Sequence, residues 1–240
     1  VNQQLQAGSA PRTAVGQRAD GTLVFYTMDG RRAGYSIGAT MGQVAQRLVE
    51  LGCVNALCLD GGGSTTLSVT APDATAAKTV NTPSGGSERA VTNHIFLVAD
   101  NESSGRLSHF YVHADNDYVL AGSQVTVSAS AVDTNYIPME RSYDLWASAG
   151  ELNGNVLTTP ASGGDITVTA EGGGKQGETT VHAITTPDSV SVQDASGKTI
   201  TSLTVTPGTV TALGGGAVYS HLPLKADAAA FQWTVAGDIG

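Results

Sequence analysis

Helical periodicity occurs in one stretch of this 240-residue chain, and the rest is written in short runs broken by glycine. In ATMGQVAQRLVELG, residues 39–52, Met41, Val44, Ala45 and Leu48 fall at i, i+3, i+4 and i+7, the spacing of one helix face. Thr40 and Gln43 make a capping-box pair at its start, and Gly52 suits the left-handed residue that ends a helix. With 30 glycines and 14% charged residues, the remainder reads as short strands joined by turns. A helical protein would carry more Leu, Lys and Glu.

Upstream of the helix, RTAVGQR and TLVFYTMD flank Ala19-Asp20-Gly21, a hairpin signal. DGRRAGYSIG is loop-like. Downstream, CVNALCLD is expected as a buried strand, ended by Gly61-Gly62-Gly63, and STTLSVT as another strand. Residues 71–88 are rich in Ala, Thr, Pro, Ser and Gly; a connection that long reads as an active-site loop. RAVTNHIFLVA closes the segment as a strand. Cys53 and Cys58, five apart in an apolar run, are expected on opposite strand faces, both buried and unbridged.

Beyond the linker Asn101–Gly105 the pattern turns purely β. QVTVSASAVD, YDLWASAG, DITVTAE and ETTVHAI alternate small apolar with polar residues. ADAAAFQWTVAGDIG aligns with RSYDLWASAGELNG as an internal repeat, which predicts Trp146 and Trp233 as inward core residues of two modules. The expected fold is therefore an α+β domain, a mixed sheet with one main helix, followed by all-β sandwich modules. Its expected parts are residues 1–100, a module at 101–184 and a truncated second module at 185–240, loosely packed with an open apolar face. The chain opens on Val1 in polar sequence and stops in mid-pattern, so both ends are read as cut.

The formal charge is −9, and the twelve basic residues form no stripe for a phosphate backbone, which argues against nucleic acid as a partner. No run reaches the length of a membrane span. His109, His113, His182 and His221 are scattered without metal-ligand spacing, and no metal or other cofactor is expected.

The sharpest chemical signal is Asp60-Gly61-Gly62-Gly63-Ser64. Three glycines let a backbone bring its N–H groups close to a ligand, and an Asp at the tip of a hidden strand suits catalysis or ligand orientation. A plain tight turn with a surface Asp is the bland alternative. Arg12-Thr13 offers a guanidinium for phosphate or carboxylate, although alone it reads as a surface ion pair. Asp29-Gly30-Arg31 reads equally well as a turn. Glu88-Arg89 follows the long loop, and alone it would be a solvated strand entrance. A lone His94 beside Asn93 reads as structural.

Taken together, PRTAVGQRADGTLVFYTMDGR, a helix ending in LG, NALCLDGGGST and NTPSGGSERAVTNHIFL resemble the phosphodiester glycosidase family, the N-acetylglucosamine-1-phosphodiester α-N-acetylglucosaminidase-like enzymes. The resemblance covers residues 11–99 and implies the C-terminal half of such a domain. It implies hydrolysis of glycosyl-1-phosphodiesters, releasing a sugar such as GlcNAc. The positions that match the family's motifs are Arg12, Thr13, Asp29, Arg31, Asp60, Gly61, Gly62, Ser64, Glu88, Arg89 and Asn93, whereas His94 departs from them. A phosphate monoester leaves without a strong general acid, so such a site needs positive charge at phosphate and one carboxylate at the sugar. Arg12 and Arg89 suit the first task. Asp60, expected to be the better buried, and Glu88 are candidates for the second. The β-rich remainder resembles bacterial immunoglobulin-like (Ig-like) domains, which implies a spacer or adhesion role and an exported, extracellular or cell-surface bacterial protein. The two resemblances together imply an α+β catalytic-domain fragment followed by all-β Ig-like sandwich modules, an enzyme expected to act on cell-wall or capsular polymers. The alternative is a catalytically inactive surface protein that binds carbohydrate or serves adhesion.

Overall fold

The computed structural model describes residues 8–98, 102–206 and 208–235. Most of the polar N-terminal sequence, Ala99 of the expected last strand, Asn101 of the linker and the AGDIG end of the repeat lie outside these residues. The chain divides into two compact units, residues 1–99 and 100–240.

The first unit begins with the predicted hairpin, β1 (Arg12–Arg18) and β2 (Leu23–Met28). Its turn closes through Gly21 N–H to Arg18 O at 3.0 Å and Thr22 N–H to Asp20 Oδ1 at 2.9 Å, with Gly21 at φ 88°. That backbone value suits a residue without Cβ. The helix α1 (Met41–Glu50) follows, with both capping-box bonds between Thr40 and Gln43 formed. Gly52 stands just past its end at φ 83°. β3 (Cys53–Cys58) then pairs antiparallel with the other side of β1, giving the order β2-β1-β3. Val44 and Leu48 of α1 pack on the face that carries Ala14, Val24, Tyr26, Met28 and Cys53. Gly16 permits this closeness: a Cβ there would overlap Cys53 Sγ and lie 3.3 Å from Leu48 Cδ2.

Three expectations for this unit are corrected. β3 is not buried. It is an edge strand whose Val54 and Leu57 are 63% and 62% exposed, because α1 covers only one face and Leu57 pairs with Val15 on the other. Cys53 and Cys58 do not face opposite ways. The register shifts between Gln17 and Arg18, so both pair with even-numbered residues of β1, Arg18 and Ala14; a bulge resets the period of two. Both are free, but Cys58 is only half-buried. Of the strand expected over STTLSVT, only β4 (Ser68–Val69) forms, paired with β5 (Lys78–Thr79). The described part of RAVTNHIFLVA is in no strand, and Ile95 to Val98 stand exposed.

The second unit contains β6 (Leu107–Ala114), β7 (Tyr118–Leu120), β8 (Gln124–Asp133), β9 (Pro138–Met139), β10 (Asp144–Ala147), β11 (Glu151–Asn153) and β12 (Val156–Thr158). β13 (Gly164–Gly172), β14 (Lys175–Ile184), β15 (Ser189–Gln193), β16 (Gly214–Tyr219) and β17 (Leu222–Leu224) complete it. One sheet runs β10-β13-β14-β7 and another β11-β12-β8-β6, with β9 beside β8. Phe110, Val125, Val127, Leu157, Ile166, Val168 and Val181, drawn from both sheets, form one buried core. At one edge Asp133 is fully buried and its carboxylate accepts from Ser103 Oγ at 2.8 Å and from the N–H groups of Ser104, Asn135 and Ile137 at 2.6, 2.8 and 2.9 Å.

Neither tryptophan is an inward core residue. In β10, Leu145 and Ala147 turn inward, and the alternation therefore sends Trp146 outward at 49% exposure. Trp233 is 47% exposed and donates to Ala228 O at 2.9 Å. The strands β15, β16 and β17 form a sheet of that order, and Leu120, Ala217 and Leu224 cluster with Phe231. Leu120 N–H reaches Lys225 O at 2.8 Å. Val190, Leu203, Val205 and Val210 nevertheless remain exposed.

The fold class is thus corrected. The chain is predominantly β, a set of five small sheets with one α-helix among the described residues. The first unit's three-stranded sheet is wholly antiparallel rather than mixed, and the sole parallel strand pair described is β7–β14. No helix of the described residues is long and apolar enough to cross a membrane.

Candidate functional site

The first unit gathers its chemistry where three segments meet the start of β1. Ala10 and Pro11 run past Gly30, Gly38 and Gly61 at distances that exclude a side chain. A Cβ on Gly30 would lie 2.7 Å from Gly38 Cα and 2.8 Å from Pro11 N, and one on Gly61 would lie 2.9 Å from Pro11 O. Gly62 N–H donates to Pro11 O at 2.8 Å, fixing the turn. Gly62 itself stands at φ 66° and opens a short 3₁₀ turn, Gly62–Ser64. Glycine is needed twice in this turn, for that backbone region and for the closeness to Pro11.

Two guanidinium groups rest on this turn. Arg31 Nη1 and Nη2 lie 3.2 Å from where a Gly62 Cβ would stand, and Arg89 occupies the space of a Gly63 Cβ. Arg31 holds φ 57°, a left-handed conformation that costs a non-glycine residue energy and concentrates at functional sites. Arg31, Gly63, Ser84, Gly85, Ser87, Glu88 and Arg89 line one open cleft of about 470 Å³. Two cations and one carboxylate share it, so the cleft is locally positive in a chain of charge −9. Glu88 Oε1 accepts from Thr79 Oγ1, which ties it to β5.

Of the residues proposed from sequence, the cleft brings together Arg31, Glu88 and Arg89 beside Gly62. Ser64 is half-buried in the turn. Asp60 is exposed, and its Oδ1 accepts from the following Gly61 N–H at 2.9 Å; since β3 is an open edge, the expectation of a buried Asp60 is overturned. Arg12 is buried and donates from Nε to Ala39 O at 2.9 Å and from Nη2 to Gly8 O at 2.6 Å. Those bonds tie neighbouring backbone to β1. Thr13 Oγ1 donates to Thr65 Oγ1 at 3.3 Å. Asn93 is exposed, accepting from Thr92 Oγ1 at 3.1 Å.

Asp29 is a hub. Its Oδ1 accepts from Asn81 Nδ2 at 2.8 Å, and its Oδ2 from Thr82 N–H at 2.9 Å and Tyr35 O–H at 3.0 Å. Ser84, Ser87, Gly85, Tyr35 and Asn81 escaped individual notice in the sequence. Asn81, Ser84, Gly85 and Ser87 stand inside the NTPSGGSER run and Tyr35 inside DGRRAGYSIG; those runs, like the length of the 71–88 connection, mark regions rather than single residues.

Residues 1–98 match the family model described as phosphodiester glycosidase. The SPbeta prophage-derived uncharacterized protein YomE of Bacillus subtilis (strain 168) is 42% identical over 87 residues, which are 36% of this chain and 12% of that protein. The chain therefore spans about an eighth of that relative's length. No solved structure matches it.

Proposed function

We propose that the first unit carries a phosphodiester glycosidase site that hydrolyses glycosyl-1-phosphodiesters, releasing a sugar such as GlcNAc. The observation that carries this reading is the convergence of Arg31 and Arg89 on the Gly62–Gly63 turn, in one cleft with Glu88. The family match over residues 1–98 supports it. Paired guanidinium groups recognise phosphate oxygens through charge-assisted hydrogen bonds. Ser84 and Ser87 add hydroxyl donors.

In the proposed reaction the bond between the anomeric carbon and the phosphate oxygen breaks, and its electron pair stays on the phosphate. Arg31 and Arg89 stabilise that charge, so no strong acid is required. Water attacks the anomeric carbon and Glu88 accepts its proton, while the carboxylate stabilises the oxocarbenium-like transition state. Asp60 remains the second carboxylate candidate, beside the turn rather than lining the cleft. The proposal extends to an exported bacterial protein acting on phosphodiester-linked sugars of wall or capsular polymers, with residues 101–184 and 185–240 as accessory modules.

The test is hydrolysis of a GlcNAc-1-phospho-sugar diester by the full chain. Glu88→Gln should lower kcat by about 100-fold or more, and Arg89→Ala should lower kcat/KM while weakening competitive inhibition by inorganic phosphate. Turnover that survives both changes would remove the cleft from the chemistry.

A further inference from the structure

Three segments supply the walls of the cleft: the end of β2 with Arg31, the glycine turn, and the 84–89 loop. Among the described residues no strand pairing joins all three. They are joined through the side chain of Asn81, half-buried among them. Its Nδ2 donates to Asp29 Oδ1 at 2.8 Å and to Thr65 O at 3.1 Å, while its Oδ1 accepts from Leu67 N–H at 2.8 Å. Asp29 stands two residues before Arg31, and Thr65 follows the glycine turn. Asn81 itself stands three residues before Ser84. Asp29 completes the frame by accepting Thr82 N–H on its other oxygen.

We propose that Asn81 is a positioning residue that sets the distance between Arg31, the Gly62–Gly63 turn and the Ser84–Arg89 wall. The requirement is for two donor hydrogens and one acceptor on a short planar group, which an Asn amide meets. Aspartate would set a second carboxylate against Asp29, alanine would leave three partners to water, and glutamine is one carbon too long. As a claim about catalysis, the assignment rests on the proposed phosphodiester site; as a claim about local geometry, it stands on the hydrogen bonds alone.

The experiment compares the full wild-type chain with Asn81→Ala, Asn81→Asp and the exchanged pair Asp29→Asn/Asn81→Asp. Its readouts are kcat and KM on the GlcNAc-1-phospho-sugar diester, inhibition by inorganic phosphate, and amide exchange at Leu67 and Thr82. Both single variants should lose kcat/KM on the order of 100-fold, the scale of a misplacement near 1 Å. Phosphate inhibition should weaken in parallel. Exchange at Leu67 and Thr82 should quicken while Val44 to Leu48 of α1 stay as protected as before, which separates positioning from general loosening. The exchanged pair, which restores one donor–acceptor contact, should regain part of the loss. Unchanged exchange at Leu67 and Thr82 in Asn81→Ala would overturn the proposal, as would quickened exchange with unchanged kinetics. A wild-type chain that neither turns over the diester nor is bound by phosphate would sink the proposed function instead, and exchange alone would then decide the role of Asn81.

Discussion

The two units are written in the same small-apolar and glycine vocabulary, yet they close differently. Among the described residues, two sheets of the second share a core of twelve buried residues, whereas the first gathers five under a single helix. One face of the β2-β1-β3 sheet is left to solvent at Leu57. What the first unit lacks in apolar burial it replaces with polar clips and backbone crossings: Arg12 on Ala39 O, Asn81 on three segments, Ala10 and Pro11 against glycines. A closed core resists local opening, and a clipped assembly is drawn from the less stable end of the range.

The contrast is sharpest for one substitution made in both units. Leu157 is fully buried at 0% exposure and Leu48 at 2%, and Leu→Ala costs about 2–5 kcal/mol depending on how far the surroundings collapse. Leu157→Ala should fall near the upper end and Leu48→Ala near the lower. Both tryptophans lie in the second unit, so denaturant unfolding followed by their fluorescence reports that unit, while the 222 nm signal includes α1. Equal costs would erase the distinction between the units.

A smaller effect separates them by pH. Burial alone would raise the pKa of Asp133, but four hydrogen bonds to its carboxylate outweigh this and hold it well below the usual carboxylate range. A group with a depressed folded pKa stabilises above its unfolded value of about 4, and that contribution is lost as pH falls below it. Melting between pH 7 and pH 2 should show the tryptophan transition of the second unit declining below about pH 4. Asp133→Asn should be less stable at pH 7 and flatter over the same window; a parallel decline would clear Asp133.

The smallest effect tests the open face. Leu57→Thr should change stability by about 0.5 kcal/mol or less, as for other exposed positions. A larger loss would mean that this face is covered in solution.

Local signals were legible where short-range chemistry decides the outcome. The Ala19-Asp20-Gly21 turn, the Thr40–Gln43 cap and the Gly52 stop all stand as the residues require. Errors arose where a distant neighbour decides. The run CVNALC is apolar enough for a buried strand, but among the described residues no layer covers its outer side. DLWA tempts a reader to bury its largest residue, and the period of two buries Leu145 and Ala147 instead. In the site, Arg31, Glu88 and Arg89 were nameable from their motifs. Arg12 looked the same in sequence, and its carbonyl partners are visible only once Ala39 is folded beside it. Asn81 opens the NTPSGGSER run, but its role depends on three residues 14 to 52 positions away, which the run does not name.

The crossing of Ala10–Pro11 over Gly30, Gly38 and Gly61 carries an evolutionary corollary. A methyl at Gly38 would push Ala10 and one at Gly30 or Gly61 would push Pro11, adjacent residues of one crossing segment, so the mutational tolerance of each depends on the state of the others. In a deep mutational scan the three would register as one epistatic set, and drift at this end of the domain would proceed by concerted replacement or not at all.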